Sequence, residues 1–182
     1  MNGEGNRRIS RYVNAGGSYL GFCAGGYYGA ARCEFEVDDP KMAVAGDREL
    51  GFFPGICRGL AFEGFQYASE AGARAADIKI EKAAFDDAKD GTGESFKSYY
   101  NGGGVFVDAK KLESRGVQIL ASYRDGTACS CSLTLRPNLR SIMATNATLS
   151  ASVAVIESIN VAYEGRLGIW FKFCGANLEM SV

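Results

Sequence analysis

Residues 17–26 read Gly-Ser-Tyr-Leu-Gly-Phe-Cys-Ala-Gly-Gly, and this is the most informative segment of the chain for its fold class. Its apolar first half suits a short buried strand, and a helix start follows at residues 27–31. A strand that turns sharply into a helix through Gly-x-Cys-x-Gly is the thiol version of the nucleophile elbow, with Cys23 at the turn. Three glycines are expected to let the segments pack without Cβ clashes: Gly21, Gly25 and Gly26. The stretch therefore predicts an α/β domain.

The role of Cys23 has two interpretations, a nucleophile or an inert, buried cysteine in a tight turn. A thiol nucleophile needs a base for its proton and hydrogen-bond donors for the oxyanion. The chain has no histidine to serve as that base. Glu34 and Glu36 would lie about three helical turns beyond Cys23 and would point away from the elbow. We therefore expect Cys23 to be inactive, and a thiol enzyme with a base other than histidine is the alternative.

The composition is that of a globular protein with one domain. The chain has 182 residues, 47% hydrophobic and 23% charged, with 20 Lys+Arg against 21 Asp+Glu. A formal net charge of -1 argues against a nucleic-acid partner, because phosphate binding favours a basic protein. Without histidine, the sequence contains no Ser-His-Asp or Cys-His triad and no histidine ligand for a metal.

The six cysteines predict neither disulfides nor a metal site. The N-terminus is polar and charged, and no stretch approaches the ~18–20 apolar residues of a membrane span. Cys129 and Cys131 form one short pair, with no second pair at zinc-binding spacing. We therefore expect a cytoplasmic protein with free thiols, no metal, no cofactor and no membrane partner.

The composition changes near residue 126. Of 24 glycines, 21 lie in residues 1–126, and every aspartate lies at or before Asp125. No glycine occurs between residues 127 and 164. This shift predicts a first part, residues 1–126, and a divergent tail, residues 127–182.

Periodicity and turn residues predict the elements of both parts. Helical segments are expected at Arg7–Asn14 and Lys110–Arg115. Strands are expected in the first part at Ser18–Phe22, Leu50–Phe53, Ile78–Glu81, Val105–Asp108 and Val117–Tyr123. Strands are expected in the tail at Val153–Ile156, Ile159–Tyr163 and Gly168–Phe173.

Three further segments accompany the elbow motif Gly21–Tyr28: Leu50–Gly59, Ser69–Ala75 and Ser98–Ala109. In this order, the four motifs resemble the N-terminal domain of fungal-type biotin–protein ligases. That domain is similar to class I glutamine amidotransferases. The resemblance covers roughly residues 2–125.

The resemblance implies an open three-layer, flavodoxin-like α/β sheet with helices on both faces and Cys23 at the amidotransferase nucleophile position. Family members carry strands and a Pro-Gly-Gly loop ahead of the segment that begins at Asn2. They also have a His-Pro-Glu segment near the end of the domain and a ligase catalytic domain, and this sequence contains neither. The sheet is therefore expected to lack its N-terminal strands and to expose an edge that favours self-association.

Further candidates for ligand contact are Arg58, Tyr100 and Asn101. Arg58 follows Cys57, and an arginine beside a thiol could hold a carboxylate, although an ordinary surface arginine is the alternative. Gly102–Gly104 fits a backbone turn better than a phosphate loop, because it lacks the Lys-Ser/Thr pair and precedes a strand. Four tyrosines suit either a small pocket or core packing: Tyr27, Tyr28, Tyr99 and Tyr100. Together, these observations predict a non-catalytic, amidotransferase-like binding or regulatory domain with an unknown small-molecule or protein partner.

Overall fold

The computed structural model describes residues 3–66, 68–81, 95–136, 139–144, 172–173 and 176–177. Helix α1 spans Glu4–Asn14, helix α2 spans Ala24–Gly29, and Ala109–Arg115 form a 3₁₀ helix. The first strands are β1 Tyr19–Phe22, β2 Ala30–Phe35, β3 Val44–Asp47, β4 Phe53–Arg58 and β5 Ala73–Ile80. They are followed by β6 Ser95–Asn101, β7 Val105–Phe106, β8 Val117–Tyr123, β9 Ala128–Arg136 and β10 Leu139–Ala144. A short antiparallel pair consists of β11 Lys172–Phe173 and β12 Ala176–Asn177.

Strands β1 to β10 form one open, mixed sheet. Eight of them follow the order β3-β2-β4-β7-β9-β8-β5-β6, and β10 pairs with β9 and with β1. The pairs β2–β4 and β1–β10 are parallel, and the other described pairs of this sheet are antiparallel. Hairpins such as β8–β9 make antiparallel neighbours, since a parallel pair needs a crossover of about a dozen residues. The predicted α/β class and the open sheet are confirmed.

Strand pairing crosses the division predicted at residue 126. β9 pairs with β8 on one side, and with β7 and β10 on the other. β10 runs parallel to β1, with Ile142 opposite Leu20. The predicted tail strands at residues 153–156 and 159–163 lie outside the described residues, as does most of the strand predicted at 168–173.

The helix predicted after the elbow is shorter than expected, because strand β2 begins at Ala30. Helix α2 ends at Gly29, and the following residues pair with β3 and β4. Glu34 therefore lies on a strand opposite Arg58, and the expected distance of three helical turns from Cys23 was wrong. Alanines favour a helix locally, but pairing with two neighbouring strands outweighs that preference.

Strand β4 begins where the sequence predicts a strand to end. The prediction covers Leu50–Phe53, whereas the strand covers Phe53–Arg58. Pro54 and Gly55 argue against a strand, because proline cannot donate to a ladder and glycine packs poorly. The structure accommodates these two residues at an irregularity in the register between β4 and β2.

The other predicted elements of the first part are found at their expected positions. Strand β1 begins one residue later than predicted, and β8 has the predicted bounds. Strand β5 begins earlier than predicted, and β7 is shorter. Helix α1 begins three residues before its predicted start. The 3₁₀ helix covers the helical segment that was predicted at Lys110–Arg115.

Two clusters of buried side chains lie against the sheet. The first surrounds the elbow and includes Val13, Tyr27, Phe53, Phe106 and Met143. The second lies between β5, β6 and β8 and includes Ile78, Tyr100, Leu120, Tyr123 and Cys129. Each large apolar side chain that leaves water contributes roughly 1.5–3 kcal/mol to stability, and the first cluster therefore holds the elbow against the sheet.

Candidate functional site at the Cys23 elbow

Cys23 lies at the turn between β1 and α2. Its backbone has φ 48° and ψ -113°, a strained conformation that costs a non-glycine residue about 1–3 kcal/mol. The amides of Gly26 and Tyr27 donate hydrogen bonds to its carbonyl oxygen over 2.9 and 3.3 Å. The residue is exposed, which does not fit the alternative of a buried, inert cysteine. The turn thus has the strand–turn–helix geometry of a nucleophile elbow.

Gly21 allows β1 and α2 to touch, whereas a Cβ atom on Gly25 would meet only the Tyr19 hydroxyl at an ordinary 3.8 Å, so the clash expected at Gly25 is not found. A Cβ atom on Gly21 would lie 2.6 Å from the carbonyl oxygen of Gly25, closer than real Cβ atoms come to other atoms. The Tyr19 hydroxyl donates a 2.7 Å hydrogen bond to that same carbonyl, and burial raises the pKa of Tyr19 to about 12. Gly26 is buried inside α2. Packing alone therefore accounts for Gly21, and ligand contacts of these glycines stay a prediction.

Tyr27 joins the elbow to two of the other motifs. Its hydroxyl donates a 3.1 Å hydrogen bond to the carbonyl oxygen of Gly103, and a Cβ atom on Gly59 would collide with the same hydroxyl. Burial raises the pKa of Tyr27, and the neighbouring thiols of Cys57 and Cys23 raise it further. The Gly59 backbone and the Gly103 turn therefore meet at a hydroxyl that lies within electrostatic reach of the elbow thiol.

Arg58 is paired with a carboxylate of its own chain. Its Nε donates to Oε2 of Glu34 over 2.8 Å, while Arg32 Nε donates to Oε1 over 2.9 Å. The hydrogen bonds from Arg32 and Arg58 hold the pKa of the Glu34 carboxyl below its usual value. Cys57 is fully buried whereas Arg58 is exposed, as expected for successive strand residues on opposite faces. The carboxylate that Arg58 holds thus belongs to its own chain, and ligand contact by Arg58 stays a prediction.

Tyr100 and Asn101 occupy different environments at the end of β6. The Tyr100 ring is fully buried and packs edge-on against Phe62 and Tyr123, with centroids 5.8 and 5.3 Å away. The Asn101 side-chain amide donates a 2.8 Å hydrogen bond to the carbonyl oxygen of Ser69. Tyr100 is therefore a core residue, and Asn101 ties together two of the motif segments.

The glycines after Asn101 form a backbone turn, as predicted. Gly102 and Gly103 have φ values of 83° and 69°, a left-handed region that glycine enters without steric cost. The amide of Phe62 donates to the Gly102 carbonyl over 2.9 Å, and that of Ala61 to the Gly103 carbonyl over 3.3 Å. Strand β7 follows the turn. The turn is thus fixed against the segment that follows Gly59.

Asn6 anchors helix α1, a role that the sequence-based list of candidate residues did not include. Only 2% of its surface is exposed. Its amide nitrogen donates a 2.6 Å hydrogen bond to Glu49, and its amide oxygen accepts one from the Tyr28 hydroxyl. Asn6 shares the helical spacing of Ile9 and Val13, which is the signal that could have revealed it.

Two open cavities flank helix α1, and Cys23 lines neither of them. A polar cavity of about 380 Å³ is lined by Glu4, Asn6, Arg7, Ser10, Arg11, Asn14 and Glu49. An apolar cavity of about 500 Å³ is lined by Gly5, Arg8, Ile9, Tyr12, Val13, Ser18, Tyr19 and Leu20. Among the described residues, no three Cys, Asp or Glu side chains are grouped closely enough to hold a metal ion. In the same residues, no helix has the length and apolar character needed to cross a membrane.

Comparison with known proteins relates the chain to one family. Residues 1–156 match the family described as biotin-protein ligase, N terminal. The chain is 40% identical over 119 residues to the biotin–protein ligase of Schizosaccharomyces pombe, across 65% of this chain and 18% of that ligase. It is 38% identical over 126 residues to an uncharacterized protein of Chlamydia muridarum, across 69% of this chain and 44% of that protein. The chain thus spans less than half the length of either relative.

Proposed function

Because the chain belongs to the biotin-protein ligase N-terminal family, we propose that it is a non-catalytic, amidotransferase-like binding or regulatory domain. The observation that carries the proposal is an exposed cysteine on a nucleophile elbow in a sequence without histidine. The elbow keeps the shape of a thiol nucleophile site, but the sequence lacks the usual base for that thiol.

The surroundings of the elbow support a binding role. Burial raises the pKa of Tyr27 above its usual value near 10, so the residue stays neutral even in alkaline solution and its hydroxyl serves as a hydrogen-bond donor rather than as a base. The carboxylate of Glu34 is shared between Arg32 and Arg58, so it is already occupied by ion pairs of the chain itself. Tyr27 thus holds the glycine turn in place beside the elbow, and the arrangement is suited to presenting a fixed surface to a ligand.

Two finer statements belong to the proposal. The three-layer, flavodoxin-like arrangement is proposed as the form of the whole domain, of which the described residues contain the sheet and the helices α1 and α2. A cytoplasmic location stays the prediction made from the N-terminal sequence. Biotin transfer is an activity named for the S. pombe relative, and we do not propose it for this chain on its own.

The test of the proposal is an assay for glutamine hydrolysis and biotin transfer. Ammonia release from glutamine is compared between the wild-type chain and Cys23→Ser, which keeps the size of the side chain. We expect both to match the buffer blank, and we expect no biotin transfer to an acceptor domain with ATP and biotin present. Ammonia release that depends on Cys23, or biotin transfer by this chain alone, would overturn the proposal.

A second candidate is a thiol hydrolase or transferase that uses Cys23 with a base other than histidine. The exposure and the strained backbone of Cys23 favour it. It predicts that iodoacetamide labels Cys23 well below about pH 8 and that Cys23→Ala abolishes turnover. Mass spectrometry of the peptide that contains Cys23 distinguishes its labelling from that of the other cysteines, of which Cys33, Cys57 and Cys129 are buried. Slow labelling of Cys23 across this pH range would count against this candidate.

A further inference from the structure

The Tyr27 hydroxyl is the point where three separate segments meet. It belongs to α2, four residues after Cys23, and its ring is buried, with 9% of the residue exposed. It donates a hydrogen bond to the Gly103 carbonyl over 3.1 Å. The same hydroxyl oxygen fills the space that a Cβ atom on Gly59 would need. Its ring packs edge-on against Phe35, with centroids 5.8 Å apart.

The Gly103 carbonyl is shared by two donors. It accepts the Tyr27 hydroxyl and the Ala61 amide, while the neighbouring Gly102 carbonyl accepts the Phe62 amide. The two amides tie the glycine turn to the segment after Gly59, and the hydroxyl alone among these donors comes from the elbow helix. Without the hydroxyl, both turns would stay joined to each other but would lose this bond to α2.

We infer that Tyr27 is a positioning residue, whose hydroxyl holds the segment that follows Gly59 and the Gly102–Gly103 turn against α2 and so fixes the surface around Cys23. The inference deepens the proposed function. It rests on one part of that proposal, namely that the elbow is the surface to which a ligand binds. It is independent of turnover, so the glutamine assay and the test below can fail separately.

The chain offers a matched control in Tyr123. Its hydroxyl donates a 2.7 Å hydrogen bond to the Gly104 carbonyl, one residue beyond the carbonyl that Tyr27 contacts. Its ring belongs to the second core cluster, beside Tyr100 and Phe62. Tyr123→Phe therefore removes a comparable bond to the next carbonyl of the same glycine run, but from β8 rather than from the elbow helix.

The experiment measures the rate at which iodoacetamide alkylates Cys23 in the wild-type chain, Tyr27→Phe and Tyr123→Phe. Each rate is obtained between pH 6 and pH 9 by mass spectrometry of the peptide that contains Cys23. We expect Tyr27→Phe to raise the rate about fivefold. Cys23 is already exposed, so its rate depends on how its surroundings position the thiol, and the loss of one hydrogen bond worth about 1 kcal/mol would change a rate by this factor. We expect Tyr123→Phe to leave the rate within about twofold of wild type, whatever its effect on global stability.

Equal rates in the wild-type chain and Tyr27→Phe, or an equal increase in both variants, would overturn the inference. Hydrogen exchange of the wild-type chain gives a second test in case Tyr27→Phe does not fold. We expect the amides of Ala61 and Phe62 to exchange at least about tenfold more slowly than amides of an unstructured chain. Exchange at the unstructured rate would show that the turns are not held, and the inference would fail.

Discussion

Gly21 in β1 lies so close to α2 that a Cβ atom added to it would come within 2.6 Å of the Gly25 carbonyl oxygen. That carbonyl already accepts a hydrogen bond from Tyr19, which leaves it little freedom to move aside. A single methyl group at this position would therefore push the helix away from the strand and move Cys23, which lies between them. Close packing at Gly21 thus positions the exposed thiol.

Gly21→Ala is expected to lower the free energy of unfolding by about 1–3 kcal/mol, because overpacking forces the backbone to shift. The measurement is urea denaturation followed by circular dichroism. Gly5→Ala is the matched control, since a Cβ atom at Gly5 in α1 meets nothing within 4 Å. We expect that control to be neutral or stabilising by up to about 1 kcal/mol, because alanine favours a helix. Equal effects of the two substitutions would contradict the packing argument.

Alkaline pH is expected to destabilise the chain through its buried tyrosines. An unfolded tyrosine loses its proton near pH 10, whereas burial raises the pKa of folded Tyr19 to about 12. The stability contributed by neutral Tyr19 is therefore complete below about pH 10 and is lost as the pH rises towards 12. We expect the free energy of unfolding to fall by about 1–2 kcal/mol per buried tyrosine over this range, after allowance for partial exposure.

Urea denaturation at several values between pH 8 and pH 11.5 would measure this loss, and absorbance at 295 nm would report the phenolates. Tyr19→Phe removes one of the titrating groups and should reduce the dependence of stability on pH. A slope that is unchanged in Tyr19→Phe would show that Tyr19 does not contribute to it.

A chain that ends at Gly126 is expected not to unfold cooperatively. It would lack β9, which pairs with β8 on one side and with β7 on the other, and β10, which pairs with β1. Loss of a central strand leaves two exposed edges and divides the sheet. Urea denaturation and dye binding would show a broad transition and exposed apolar surface.

The matched control for this truncation ends at Ala144 and retains β9 and β10. We expect it to unfold in one transition near the midpoint of the full chain. If the chain that ends at residue 126 unfolds as sharply as this control, residues 1–126 form an independent unit and the change in composition marks a domain junction.

The sequence predicted the elbow because its signals are local. Glycines on either side of Cys23, an apolar run before it and small residues after it all act within about ten residues. The turn at Gly102–Gly103 was predictable for the same reason, since its backbone needs positive φ values that glycine supplies.

Strand β2 and the environment of Arg58 could not be predicted in this way. Residues 30–35 have local helix preference, and they form a strand because β3 and β4 lie on either side of them. The partner of Arg58 is Glu34, 24 residues earlier, and the two meet only because β2 and β4 pair in parallel. Arg58, a candidate for ligand binding, is therefore already paired with a carboxylate of its own chain.

The α/β class, the turn at Cys23 and the lack of histidine were predictable, because each depends on residue type or on short-range pattern. The surroundings of that thiol depend on tertiary contacts. The Tyr27 hydroxyl and the Gly103 carbonyl are separated by 76 residues, and their hydrogen bond exists because the sheet and the core bring α2 beside the glycine turn. Contacts at such separation form only once the loops between them are closed, so no local pattern encodes them.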